Sequence, residues 1–289
     1  MSDKIAGAPI SWGVCEVPGW GYQMAPSRVL AEMREVGLTA TEFGPDGFLP
    51  DAPAEKAATL EQHGLQAVGG FTPTLLHVPG HDPLPGVERL LAGYDAARAG
   101  TLVLSADSGG TGYDSRPELD ETGWALLLSN LDRITDYAAG RGVSAVLHPH
   151  VGTMIESGDE VDRVLEGSTI RLCLDTGHLL IGGTDPAALA RQAPERIAHT
   201  HLKDVDLGLA RQVQDGRLTY TEAIRKGMYR PLGEGDVDLD GVLTHLNRIG
   251  YDGWHVLEQD TILQGPPAGD GPVADVRTSV TNLLSALVG

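Results

Sequence analysis

Four short apolar runs in the second half of the chain each stop on a side chain that can bind a divalent metal ion. They are residues 143–148 (VSAVLH), 171–175 (RLCLD), 197–201 (IAHTH) and 254–258 (WHVLE), ending on His148, Asp175, His201 and Glu258. Two imidazoles and two carboxylates form a mixed nitrogen and oxygen donor set suited to Mn²⁺, Co²⁺, Zn²⁺ or Mg²⁺. A lone histidine in an apolar strand is more often a hydrogen-bonded core residue, and a lone carboxylate more often an ion-pair partner. Recurrence of the pattern on four strand ends favours a shared ligand, because an unpaired buried carboxylate is costly. Such a set would leave a divalent ion nearly charge-neutral, a mild Lewis acid with room for substrate oxygens.

Other polar residues cluster around these four. His150 follows His148 across Pro149, and His178 closes the Asp175-Thr176-Gly177-His178 turn. Strand alternation puts His199, His201 and Lys203 on one face and Thr200 on the other. Lys203 is either a cation for the site or the salt-bridge partner of Asp204 or Asp206, which otherwise serve as supporting groups. Glu42 closes a second apolar strand and Trp12 a first one. Trp12 or Trp20 offers an apolar wall, and Gly233-Glu234-Gly235-Asp236 reads as a mobile loop.

The elements that must position these residues alternate regularly. Strands are predicted at 5–12, 39–43, 65–71, 101–106, 143–148, 171–174, 197–202 and 254–257. Helices are predicted at 26–36, 53–63, 86–99, 121–141, 159–165, 186–192, 239–249 and 273–287. Eight strands alternating with helices predict a single (β/α)₈ TIM barrel over 1–289, with a doubly wound open sheet as the alternative. No glycine-rich dinucleotide fingerprint follows the first strand, which favours the barrel. The long irregular stretches 72–85, 106–120, 204–238 and 261–272 all follow strands, so they should lie on the catalytic face as lids and substrate walls.

Composition narrows the partners. With 41% hydrophobic residues and a net charge of −19 from 40 acidic and 21 basic residues, the chain has the material for a large core and an acidic surface. That charge disfavours nucleic acid and anionic membranes. No window approaches the length of apolar sequence needed to span a bilayer, and the N-terminus has no secretory h-region. Cys15 and Cys173 suggest buried small hydrophobes rather than a disulfide framework. The expectation is a cytoplasmic enzyme acting on a small molecule.

The segments LHPHVGT (147–153), CLDTGHLLIGGTDP (173–186), RIAHTHLKDVD (196–206), LGEGDVDLDGVL (232–243) and GYDGWHVLEQD (250–260) resemble the xylose-isomerase-like sugar isomerase/epimerase superfamily. Within it, these segments and the opening APISWGVCEVPGWG (8–21) and LTATEFGPDGFLP (38–50) most resemble inosose (2-keto-myo-inositol) dehydratases. The resemblance runs over essentially the whole chain. It implies a divalent ion, Mn²⁺ or Co²⁺ first with Zn²⁺ or Mg²⁺ as alternatives, on His148, Asp175, His201 and Glu258. Where many isomerases of this group carry Glu, this chain has His148. Epimerases can relay a proton between two strand-end glutamates; with only Glu258 remaining, one-sided abstraction followed by loss of hydroxide is the simpler chemistry. The implied activity is therefore dehydration of a cyclic polyhydroxy ketone of the 2-keto-myo-inositol type through an enediolate. A sugar isomerase or epimerase, or a keto-glycoside eliminase, is the alternative on the same site. Glu258 and Lys203 are expected nearest the proton transfers, with His178 and His150 holding hydroxyls or acting as acid. Trp12, Glu42, His150, His178 and Lys203 are the expected substrate contacts. The family also implies pairing as a homo-oligomer. An apurinic endonuclease of the same barrel type would need more ligands and a basic face, and a non-catalytic sugar-binding barrel would bind metal without turnover.

Overall fold

The computed structural model describes residues 4–288. In chain order the strands are β1 (Ile5–Gly7), β2 (Ala40–Thr41), β3 (Gln66–Ala67), β4 (Gly69–Thr74), β5 (Thr101–Ala106), β6 (Ser144–Leu147), β7 (Arg171–Asp175), β8 (Ile197–Leu202), β9 (Asp204–Val205), β10 (Tyr229–Arg230) and β11 (His255–Leu257). The helices are α1 (Pro26–Glu35), α2 (Pro53–Gln62), α3 (Leu84–Ala97), α4 (Glu121–Ala139), α5 (Gly158–Gly167), α6 (Thr176–Ile181), α7 (Pro186–Gln192), α8 (Leu207–Gln214), α9 (Tyr220–Arg225), α10 (Leu239–Arg248) and α11 (Val273–Val288).

Nine strands form one parallel sheet in the order β3-β2-β1-β11-β8-β7-β6-β5-β4. Its two ends are consecutive in sequence, and Val68 joins them. The Val68 N–H donates to the Thr41 carbonyl (3.0 Å), and the Val68 carbonyl accepts from Thr101 N–H (3.1 Å). β3 and β4 are thus one interrupted stave, and the sheet closes into the eight staves of a TIM barrel. Gly69 permits the approach: a Cβ there would lie 1.7 Å from the Thr101 carbonyl oxygen. Helices cover the outside because their apolar faces must be buried. Leu127, Leu131 and Ile134 of α4, for example, are fully buried in the main core beside Leu102 and Leu147.

Three expectations need correction. The first strand stops at Gly7, because Pro9 starts a single 3₁₀ turn over Pro9–Trp12. A proline suits the first position of a helical turn, where its missing N–H costs nothing. The region 204–238 is not irregular, since it contains the antiparallel β9–β10 ribbon and helices α8 and α9. The stretch 233–236 is tied down rather than mobile. The buried Asp204 carboxylate accepts from the N–H groups of Gly233 (2.8 Å), Gly235 (3.0 Å) and Val237 (3.0 Å).

Candidate active site

The C-terminal strand ends bring the four predicted ligands together. His148 follows β6, its N–H donating to the Leu104 carbonyl at 2.7 Å. Asp175 ends β7 and is also the N-cap of α6, where its Oδ1 accepts from the His178 N–H at 2.7 Å. Register pairs Asp175 with His201 across β7 and β8, and His201 with Val256 across β8 and β11. The Glu258 N–H then donates to the Leu202 carbonyl at 3.1 Å. His148 Nε2 lies 3.0 Å from Asp175 Oδ2, and His201 Nδ1 lies 3.7 Å from Asp175 Oδ2 and 3.1 Å from Glu258 Oε2. His148, Asp175 and His201 each offer a ligand atom within 4.8 Å of the others.

This arrangement fits a cation. Four buried carboxylates, on Glu42, Asp175, Glu258 and Asp260, converge with one lysine, Lys203. The buried ring nitrogens Nδ1 of His148 and Nδ1 of His201 have no hydrogen-bond partner among the described residues. An excess of buried negative charge beside uncommitted imidazole nitrogens is the chemistry of a metal donor set.

Lys203 stands at the centre. Its ammonium donates to Asp260 Oδ1 (2.5 Å) and lies 2.8 Å from Glu258 Oε2, 3.6 Å from Asp175 Oδ2 and 3.2 Å from His178 Nε2. It does not pair with Asp204 or Asp206. Asp206 instead caps α8 through the Leu209 N–H and reaches Arg230. Asp260 was not foreseen, although it lies two residues beyond Glu258 and so shares its parity. Its Oδ2 accepts from the Tyr220 hydroxyl (2.5 Å), which is itself 2.8 Å from the Tyr229 hydroxyl. No sequence periodicity pointed to these tyrosines, which arrive from α9 and β10 in a region read as loop.

The imidazoles differ in state: burial would lower the His201 pKa, but Cys173, Glu258 and Glu42 hold it well above its ordinary value, whereas three other rings are pushed down. Burial, with His201 nearby, drives the His148 pKa well below its ordinary value; burial, then His150 and Lys203, does the same to His178. Burial and His148 push His150 down to about 3. All three rings are therefore neutral at pH 7. His150 Nδ1 faces the Val151 carbonyl at 2.7 Å and must donate to it, which leaves Nε2 as a lone pair. Burial alone would lower the Lys203 pKa, but Asp260, Glu258 and Asp175 reverse this and hold it well above the usual lysine value. Burial would raise Glu258, yet His201 and Lys203 bring it well below the usual range and keep it ionised.

Two of the four predicted ligands, His148 and Glu258, line a cavity of about 370 Å³. Glu42, His148, His150, Lys203, Glu258 and Asp260 line it on the polar side, and Trp20, Phe71 and Tyr113 on the aromatic side. The His150 ring packs 3.6 Å from that of His178 and 4.3 Å from that of Tyr113, centroid to centroid. Trp12 is elsewhere. The 3₁₀ turn carries it into the core, where its indole N–H donates to Glu32 on α1 at 2.8 Å, and Trp20 supplies the tryptophan at the cavity. His178 contributes from behind Lys203 and does not line the cavity itself. Cys15 is only partly buried and borders the cavity, whereas Cys173 is fully buried; neither is in a disulfide.

The polar cluster sits at the C-terminal ends of consecutive staves of a TIM barrel, the face on which enzymes of this fold carry their active sites. The family model described as xylose isomerase-like TIM barrel matches residues 30–277. A rhizopine catabolism protein, MocC, of Rhizobium meliloti is 32% identical over 269 residues, covering 90% of this chain and 82% of that one. An inosose dehydratase of Geobacillus kaustophilus is 31% identical over 270 residues, covering 89% and 87%. Among solved structures, the IolI protein with a bound zinc atom superimposes with a TM-score of 0.67 at 13% identity, covering 98% of each chain. The chain belongs to the xylose isomerase-like TIM barrel family, and it is an enzyme of the dehydratase-like kind its relatives represent. No helix among the described residues is long and apolar enough to cross a membrane.

Proposed function

We propose that this enzyme is a divalent-metal-dependent hydro-lyase that removes water from a cyclic polyhydroxy ketone of the 2-keto-myo-inositol type. The observation that carries the reading is the convergence of His148, Asp175, His201 and Glu258, with a glutamate at only one of the four positions. The sequence relationship to inosose dehydratases supplies the substrate class, and a zinc-binding neighbour of the same fold is consistent with a resident divalent ion. When bound by these four residues, Mn²⁺, Co²⁺ or Zn²⁺ would polarise the ketone and stabilise the charge that develops as the α-proton leaves.

The remaining steps fall to side chains. The neutral His150, whose Nε2 has no hydrogen-bond partner among the described residues, is the candidate base for the α-proton. The Lys203 ammonium, kept protonated by three carboxylates, is the donor for the departing β-hydroxyl, which leaves as water. Asp260 and Tyr220 hold that ammonium in place. Phe71, Tyr113 and Trp20 offer apolar surface to the C–H faces of a ring and exclude bulk water. Incubation of the Mn²⁺- or Co²⁺-loaded protein with 2-keto-myo-inositol should give an ultraviolet-absorbing enone or diketone. An epimerised product with no such absorbance would refute dehydration.

A further inference from the structure

Beneath the four strand ends lies a buried layer that the steps above leave unused. Glu42, just past the end of β2, and His199, two residues before His201 on β8, are almost completely inaccessible. A single carboxylate oxygen, Glu42 Oε1, lies 2.9 Å from His199 Nε2 and 3.0 Å from His201 Nε2. An ionised carboxylate only accepts, so both contacts are N–H donations to it. His199 Nδ1 has no partner among the described residues, so the side chain's hydrogen bonding is directed at Glu42 alone.

This fixes the His201 ring. With its Nε2 proton given to Glu42, a His201 whose second proton has been displaced by a bound ion must present a lone pair at Nδ1. That atom faces Glu258 Oε2 at 3.1 Å and Asp175 Oδ2 at 3.7 Å. The other neutral tautomer would set a lone pair against the Glu42 oxygen and turn an N–H, which cannot bind an ion, toward the carboxylate pair. The same oxygen that orients the ring is already taken by two donors and so is not available to a substrate hydroxyl.

We infer that Glu42 is a positioning residue, braced by His199, that holds His201 with Nδ1 directed at the Asp175–Glu258 pair as a metal ligand. The inference rests on the metal reading of the site and gives the chain a carboxylate–histidine–metal arrangement in which the carboxylate comes from just past β2, three staves from β8. A carboxylate in this place also raises the basicity of the ligating nitrogen, and loss of such partners typically costs about 10- to 100-fold in metal affinity.

Co²⁺ binding to full-length wild type, Glu42→Gln and Glu42→Leu, measured by chelator competition and by the visible absorption of the bound ion, tests this. Glu42→Gln should bind roughly 10-fold more weakly and Glu42→Leu up to about 100-fold, each with an altered visible spectrum. Excess Co²⁺ should restore much of the lost kcat. In ¹⁵N-histidine-labelled, zinc-loaded wild type, His201 should be the Nε2–H tautomer. Wild-type affinity and spectrum in the Gln variant, or a raised KM with unchanged affinity, would overturn the assignment while leaving the metal reading intact. Absence of Co²⁺ binding by wild type would overturn both. Should the Leu variant fail to fold, the Gln variant, which keeps the shape, decides alone.

Discussion

Replacing Lys203 with Met is the perturbation with the largest expected consequence. The ammonium is buried among three carboxylate oxygens, at 2.5 Å from Asp260, 2.8 Å from Glu258 and 3.6 Å from Asp175. Methionine fills the space but leaves all three acids without their cation. Removing one partner of a buried pair typically costs about 3–5 kcal/mol, because an uncompensated charge stays behind. That is a large part of the roughly 5–15 kcal/mol that holds a domain folded. The loss should be greatest in chelated protein and smaller with Co²⁺ present, since a bound ion compensates Asp175 and Glu258. Loss of the proton donor should lower kcat by about 10²- to 10⁴-fold. Urea unfolding followed by circular dichroism, with and without metal, measures the first effect, and steady-state kinetics the second. A variant within about 1 kcal/mol of wild type in chelator, or within threefold in kcat, would refute the central role given to Lys203.

Three further outcomes follow from the same geometry. Gly235→Ala should destabilise the protein by about 1–3 kcal/mol in urea titration, because the new Cβ would meet Asp204 Oδ1 at 2.3 Å and prise apart the clamp on the loop at 233–237. Stability should decline as pH falls from 6.5 towards 3, because His150 titrates at about 3 in the folded chain and near 6.5 when unfolded. Between those values the unfolded state binds more protons, so acidification favours it; His150→Phe should flatten this limb in pH-dependent thermal melts. Asp260→Asn should lower kcat, because it loosens Lys203 and Tyr220, and steady-state kinetics will show the loss.

The barrel and the convergence of polar strand ends were legible because both follow short-range rules. Alternation along β8 puts His199, His201 and Lys203 on one face, and the apolar runs ending at His148, Asp175 and Glu258 mark where staves leave the core. Trp12 was misplaced because one proline turns the chain into a 3₁₀ helix after Gly7, which shifts every later side chain off strand parity. The short helix α6 is marked in the sequence only by the N-cap of Asp175-Thr176-Gly177-His178, Asp175, whose oxygens suit an ion equally well. Tyr220 meets Asp260 through a contact 40 residues distant in sequence, and Tyr229 joins through the Tyr220 hydroxyl. No local pattern encodes such meetings, because they depend on how the 204–238 insertion folds over the barrel mouth.

Titration of the chelated protein with Co²⁺, with dehydration of 2-keto-myo-inositol followed by product mass at each point, tests the account most directly. Turnover with loss of one water should rise from zero in proportion to bound metal, reach its limit at one ion per chain, and be lost in Asp175→Asn. Full dehydratase activity in the metal-free protein, or metal binding at this site with no dehydration, would contradict it.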